Sequence, residues 1–335
     1  MTRTQRSSLA LLAVAVLAAA CSGEDGQRSA DTSSAASTVE SSVPAAGTIL
    51  GFAVSPDGSW VAADFGTQRV VRIQPSGETV ELAQVSSPVD VEVDGDGNVY
   101  VSEWKANRVE RIDAETGTVE TIAGDGSAEP TGDGGPATEA GVPEPQALAL
   151  DGNRALYITS WNTVRKVDLT DGTISTVAGN GRMGAGGDGG PATEATLWAP
   201  HGVGIASDGD IVIAQWTRFR RVDAETGLIS RVAGKGKGES STGDGGPALD
   251  ATLMPVHFEL DEQDRIYFVD VAGNSVRMID ENGMISTVVD GGKEGIKPYD
   301  VALADEGNLL VADYGGKILH VDLATGTIMP ALDAS

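Results

Sequence analysis

An all-β fold, a six-bladed β-propeller of four-stranded antiparallel blades, is predicted by three observations. A 17-residue pattern, clearest as PVDVEVDGDGNVYVSEW from Pro88 to Trp104, occurs six times. Each copy is followed by a polar run, a Gly-containing turn and a further β-rich stretch. No segment carries the long 3.6-residue periodicity of a helix, so the crossover helices of a parallel sheet are missing. The other copies start at Ile49, Pro145, Pro200, Pro255 and Pro298. Val61, Tyr100, Tyr157, Val212, Tyr267 and Leu310 each lie twelve places after their copy's first residue. The later stretches read TVELAQV, TVETIAG, TISTVAG, LISRVAG, MISTVVD and TIMPALD. Each unit is thus four short strands separated by turn residues. One such sheet cannot bury both faces alone, whereas six arranged radially can. The 44 glycines suit that many tight turns.

Ahead of the repeats, Met1–Arg6 carries two arginines and no acid, and Leu9–Ala20 is a run of twelve apolar residues. That length is too short to span a bilayer and suits a signal segment, residues 1–20. It ends Leu17-Ala-Ala-Ala-Cys21. Small residues before a lone cysteine resemble the bacterial lipobox, with Ala18 where leucine is usual. The resemblance implies lipidation of Cys21, which cannot form an intrachain disulfide. Residues 21–46, rich in Ser, Ala and Thr, read as a flexible tether with an r.m.s. span of roughly 25–30 Å. The propeller takes residues 47–335. The expected location is extracytoplasmic, anchored to the bacterial membrane. The formal charge of −26 makes nucleic acid an unsuitable partner. A monomer is expected.

The repeats, the NRVERID run (Asn107–Asp113), stretches such as TISTVAG and the GDGGPATEA segments together resemble the NHL repeat, particularly bacterial and teneurin-type NHL propellers. The resemblance covers about residues 48–333. It implies the propeller fold and, for most members, a platform that binds proteins, glycans or RNA. A related group of propellers are metal-dependent lactonases and lyases.

The start of strand one, the end of strand two and the link to the next blade meet at one end of each blade. Three features converge there. Blades two, three and four send out long links, with 21 residues from Gly124, Gly179 and Gly234 to the next Pro. Each contains Gly-Asp-Gly-Gly-Pro-Ala, with Asp133, Asp188 and Asp244. These aspartates either shape their own loops or contact Ca²⁺ or a ligand. Phe65, Trp104, Trp161, Trp216 and Tyr314 share one repeat position, with Trp198 and Tyr299 nearby. They either pack beneath the loops or offer a stacking surface to a glycan, peptide or protein. Finally, the inner-strand places two and four after the Pro are mostly Gly or Ala. The exceptions are Asp90, Glu92, His257, Glu259 and Asp300, which are expected in the central channel. They are either solvated lining or ligands of a divalent cation, with Ca²⁺ the first expectation. Asp94–Asn98 looks like the start of an EF-hand but lacks its closing Glu and reads as a turn.

The residues favour a binding platform over an enzyme. The place just after the Pro reads Leu50, Val89, Gln146, His201, Val256 and Tyr299, unlike the carboxylate and Asn ligands that the lactonase resemblance would require. The chain has only three histidines, His201, His257 and His320. No Ser/His/Asp arrangement is legible. The alternative kept open is a metal-dependent lactonase or lyase with its site in the channel.

Overall fold

The computed structural model describes residues 48–236, 240–305, 307–314 and 317–331. The signal segment, the tether and Cys21 lie outside the described residues. Among the described residues the strands form six sheets, each a meander of four consecutive strands. The innermost strands are β1 (Ile49–Val54), β5 (Pro88–Val93), β9 (Pro145–Asp151), β13 (Pro200–Ile205), β17 (Pro255–Leu260) and β21 (Pro298–Asp305). Next come β2 (Trp60–Asp64), β6 (Val99–Glu103), β10 (Ala155–Ser160), β14 (Ile211–Gln215), β18 (Ile266–Asp270) and β22 (Asn308–Asp313). The third strands are β3 (Arg69–Ile73), β7 (Arg108–Ile112), β11 (Thr163–Asp168), β15 (Arg218–Val222), β19 (Ser275–Ile279) and β23 (Ile318–Asp322). The outermost are β4 (Thr79–Gln84), β8 (Val119–Ala123), β12 (Ile174–Ala178), β16 (Ile229–Ala233), β20 (Ile285–Asp290) and β24 (Ile328–Pro330). Each innermost strand packs against the next, and β21 returns to β1, which closes the ring.

The core is divided into wedges between neighbouring blades. Val91 and Val93 of blade two, for example, pack with Ala53, Val61 and Ala63 of blade one. The closing wedge joins Phe52, Trp60 and Val71 of blade one to Leu310 and Ile318 of blade six. Alternation explains this: places three and five after the strand start face the preceding blade, while places two and four face the following one.

Every innermost strand has a register irregularity at its start, as at Pro88/Val91, Pro255/Phe258 and Pro298/Asp300. Proline has no N–H for the ladder there, and a bulge turns the following side chains. The polar residue of the turn into strand three then ties blades one, two and three to their successors. The side-chain carbonyls of Gln68, Asn107 and Asn162 accept the backbone N–H groups of Ser87, Glu144 and Ala199, at 2.6, 2.9 and 3.2 Å. Those three donors stand one place before the proline of the next blade.

Candidate functional site

The long links cross from their own blade onto the next. In the link after blade two, Gly134 donates to the Ile174 carbonyl and Ile174 donates to that of Gly135, so the Gly-Gly pair clips onto β12. The same exchange joins Gly189 and Gly190 to Ile229, and Gly245 and Gly246 to Ile285. A single 3₁₀ turn follows each proline: Ala137–Glu139, Ala192–Glu194 and Ala248–Asp250. Val142, Leu197 and Leu253 are fully buried beneath.

Asp133, Asp188 and Asp244 meet arginines that the sequence reading did not single out. Arg165, Arg220 and Arg277, mid-strand in β11, β15 and β19, are buried and reach up to them at 2.7, 2.7 and 2.6 Å. Further guanidinium N–H groups bind link carbonyls, and Arg277 also pairs with buried Asp270 at 3.0 Å. Arg165 donates to Gly141 and Thr131, Arg220 to Thr196 and Gly186, and Arg277 to Thr252 and Thr242. Thr176 and Thr287 donate to Asp133 and Asp244 from the outermost strands. The fork of donors suits several acceptors at once. These aspartates therefore shape the links through the following blade, not through their own glycines. A signal for this was present. The equivalent third-strand residue is Arg only in the three blades that receive a long link; it is Val71, Glu110 and Leu319 in the others.

The seven aromatic residues lie on this same face, at differing depths. Trp104 and Tyr299 are buried, while Phe65, Trp161, Trp216 and Tyr314 are partly exposed. Trp198 is 38% exposed and stacks on Trp216, with centroids 6.0 Å apart and planes 8° from parallel. Gln215 positions it by accepting the Trp198 backbone N–H at 3.0 Å. The Lys105 ammonium sits 5.9 Å from both the Phe65 and Trp104 rings. Tyr299 packs between His257 and Tyr314, at 5.1 and 4.7 Å.

Backbone strain also gathers here. Ser87, Glu144, Ala199 and Trp161 have φ of 55°, 47°, 41° and 57°, in the left-handed region that bulky side chains avoid. Asp94 caps its own turn by accepting from Asp96, Asn98 and the Asn98 amide, which accounts for the EF-hand likeness as a turn.

The channel holds a cavity of about 200 Å³ whose lining includes Asp90, Glu92, His257, Glu259 and Asp300. One donor atom each from Asp90, His257 and Asp300 lie within 4.8 Å of one another. His257 Nδ1 is 3.5 Å from an Asp300 carboxylate oxygen. Burial pushes Asp90 up to about 7, against the attraction of His257. Burial likewise pushes Asp300 to about 8, and Glu259 to about 8 with Asp300 and Asp90 adding to it. Glu92 is raised by burial and then by Glu259. His257 is lowered by burial. Toward the link face, His201 Nδ1 lies 2.7 Å from the Gln146 side-chain oxygen, and burial lowers this imidazole to about 4. His320, on β23, lies on a third strand and is not among the lining residues.

The teneurin NHL domain family matches residues 16–186 and 236–304 of the chain. The chain belongs to that family. This NHL propeller is 34% identical to teneurin-3 of Danio rerio over 154 residues, 39% of the chain and 5% of the relative. To teneurin-3 of Mus musculus it is 31% identical over 163 residues, covering 43% and 6%. It thus spans a small fraction of the curated relatives it matches. Solved propellers share its fold at low identity. Virginiamycin B lyase from Staphylococcus aureus is 18% identical, with TM-score 0.55 and coverage of 84% of this chain and 83% of that one. The gluconolactonase XC5397 from Xanthomonas campestris is 14% identical, with TM-score 0.58 and coverage of 80% and 84%. A chain of the nidogen/laminin complex is 14% identical, with TM-score 0.57 and coverage of 78% and 89%. At these identities the likeness shows the fold alone.

Proposed function

We propose that this NHL propeller is an extracytoplasmic, lipid-anchored binding platform whose link face takes a glycan. The observation that carries the reading is the parallel Trp198–Trp216 pair, partly open to solvent on the face that also carries Phe65, Trp161 and Tyr314. Flat aromatic faces suit the apolar face of a sugar ring and give a large contact area at low entropy cost. The left-handed φ at Trp161 and at the three pre-proline residues supports the same face, since such strain collects at ligand sites. The link aspartates argue against a basic peptide, because each is committed to an arginine of the next blade. Export is supported by the leader pattern and anchoring by the position of Cys21.

Two experiments test this. Screening the purified propeller on an immobilised glycan panel should find a ligand, with binding at least tenfold weaker in Trp198→Ala/Trp216→Ala. Unchanged binding in the double variant would remove the face from the account. Cys21→Ser should release the protein from the membrane fraction; a correctly cleaved variant that still sediments with membranes would contradict anchoring. The enzyme alternative draws on the His–Asp cluster in the channel and needs a reacting group there. A chelator-sensitive lactone or lyase activity would favour it.

A further inference from the structure

We propose that Asp90, His257 and Asp300 hold one divalent cation across the central channel, of the Mn²⁺ or Zn²⁺ class. Four observations carry it, independently of the link-face reading. First, the donor set is mixed and convergent. Its three atoms lie within 4.8 Å, and the His257–Asp300 separation is 3.5 Å. An ion at about 2.1 Å from each of two donors holds them roughly 3.0–3.5 Å apart.

Second, Asp90 is held as an acceptor. One of its oxygens accepts the Val91 backbone N–H at 2.9 Å and the other that of Leu148 at 2.8 Å. Asp300 likewise accepts from the Val301 N–H at 2.7 Å. Two N–H groups fix the Asp90 carboxylate and leave lone pairs for a further partner.

Third, the chain clears space for it. Gly51 occupies the same repeat place as Asp90 one blade earlier. A Cβ there would lie 2.5 Å from Asp90 Cα and 2.8 Å from its Oδ1, so glycine is what lets Asp90 stand at the axis. Fourth, the cavity lining contains no lysine or arginine. Four carboxylates share it with one imidazole, and mutual repulsion in a poorly solvated site is costly without a cation.

The imidazole selects the ion class. Nitrogen donors suit Zn²⁺ and neighbouring transition metals, whereas Ca²⁺ seeks six to eight oxygens. This replaces the Ca²⁺ expectation drawn from the carboxylate majority. Blades two, five and six supply the ligands, so the ion ties distant parts of the ring together. Glu92 and Glu259, two places along from Asp90 and His257 on the same strands, are reached by solvent and can bind the ion's waters.

The test uses tag-free protein stripped with chelator and titrated with Mn²⁺, Zn²⁺, Mg²⁺ or Ca²⁺, with melting temperature and metal content as readouts. Expected are close to one ion per chain and a rise of several degrees with Mn²⁺ or Zn²⁺, because an ion that binds only the folded state stabilises it. His257→Gln/Asp300→Asn should melt no lower than wild type in chelator and should lose the response. Asp90→Asn alone provides a second reading of metal content should the double variant fold poorly. Absence of any rise with stoichiometric metal missing, or an equal rise in the variants, overturns the site. A larger rise with Ca²⁺ than with Mn²⁺ or Zn²⁺ overturns the ion class.

Discussion

Asp188 on a link and Asp300 on the axis are both held against a neighbouring blade, yet their surroundings differ in kind. Asp188 meets the Arg220 guanidinium at 2.7 Å, and Asp133 and Asp244 repeat that pairing. Asp300 faces Asp90 and one imidazole, in a cavity whose lining holds no lysine or arginine. Aspartates that recur once per link, each with its own countercharge, are parts of the scaffold. Carboxylates that appear in selected blades only, and gather without a countercharge, mark a place for a ligand. The difference lies in what each acid was given to pair with.

The sharpest way to break the scaffold half of this comparison is Arg220→Ala. It removes a buried guanidinium that holds Asp188 and two link carbonyls. The expected loss is about 1.5–3 kcal/mol, from charged hydrogen bonds to two link carbonyls and to a partly exposed Asp188, measured by denaturant unfolding. A loss under about 1 kcal/mol would mean the links are not pinned by their arginines.

The channel half is tested by pH with chelator present. Asp90, Asp300 and Glu259 are raised by burial to about 7, 8 and 8 in the folded protein, against roughly 4 in the unfolded chain. Folding therefore favours their protonated forms. That contribution is complete below about pH 4 and is lost as pH rises through 7 to 8. The melting temperature should fall between pH 5 and 8.5, and Asp90→Asn/Asp300→Asn should show much less of the fall. Equal falls in both proteins would contradict the cluster. The smallest effect is expected at Trp198→Ala. Its ring is partly solvent-exposed, so stability should change by about 0.5 kcal/mol or less while glycan binding weakens.

The blades were legible because a twelve-residue spacing held through six copies, and alternation then separated residues facing the preceding blade from those facing the next one. The channel set followed from the same alternation, since Asp90, Glu92, His257, Glu259 and Asp300 interrupt a run of Gly and Ala. Two things were not legible in this way. The arginines were passed over because they sit in a polar third strand, where Arg69, Arg111 and Arg221 are ordinary exposed or half-exposed partners of nearby acids. Only pairing the presence of a long link with the residue type one blade later would have found them. Burial of the aromatics was also hidden, because one repeat position holds both buried Trp104 and the partly exposed Trp216. What covers each ring is set by its neighbouring loop, and the loops vary between blades.

The most direct measurement is an anomalous difference map from crystals of the propeller grown with Mn²⁺. The account predicts one strong peak on the axis, bonded to Asp90, His257 and Asp300, with none at Asp133, Asp188 or Asp244. An empty channel, or peaks at the link aspartates, would contradict it.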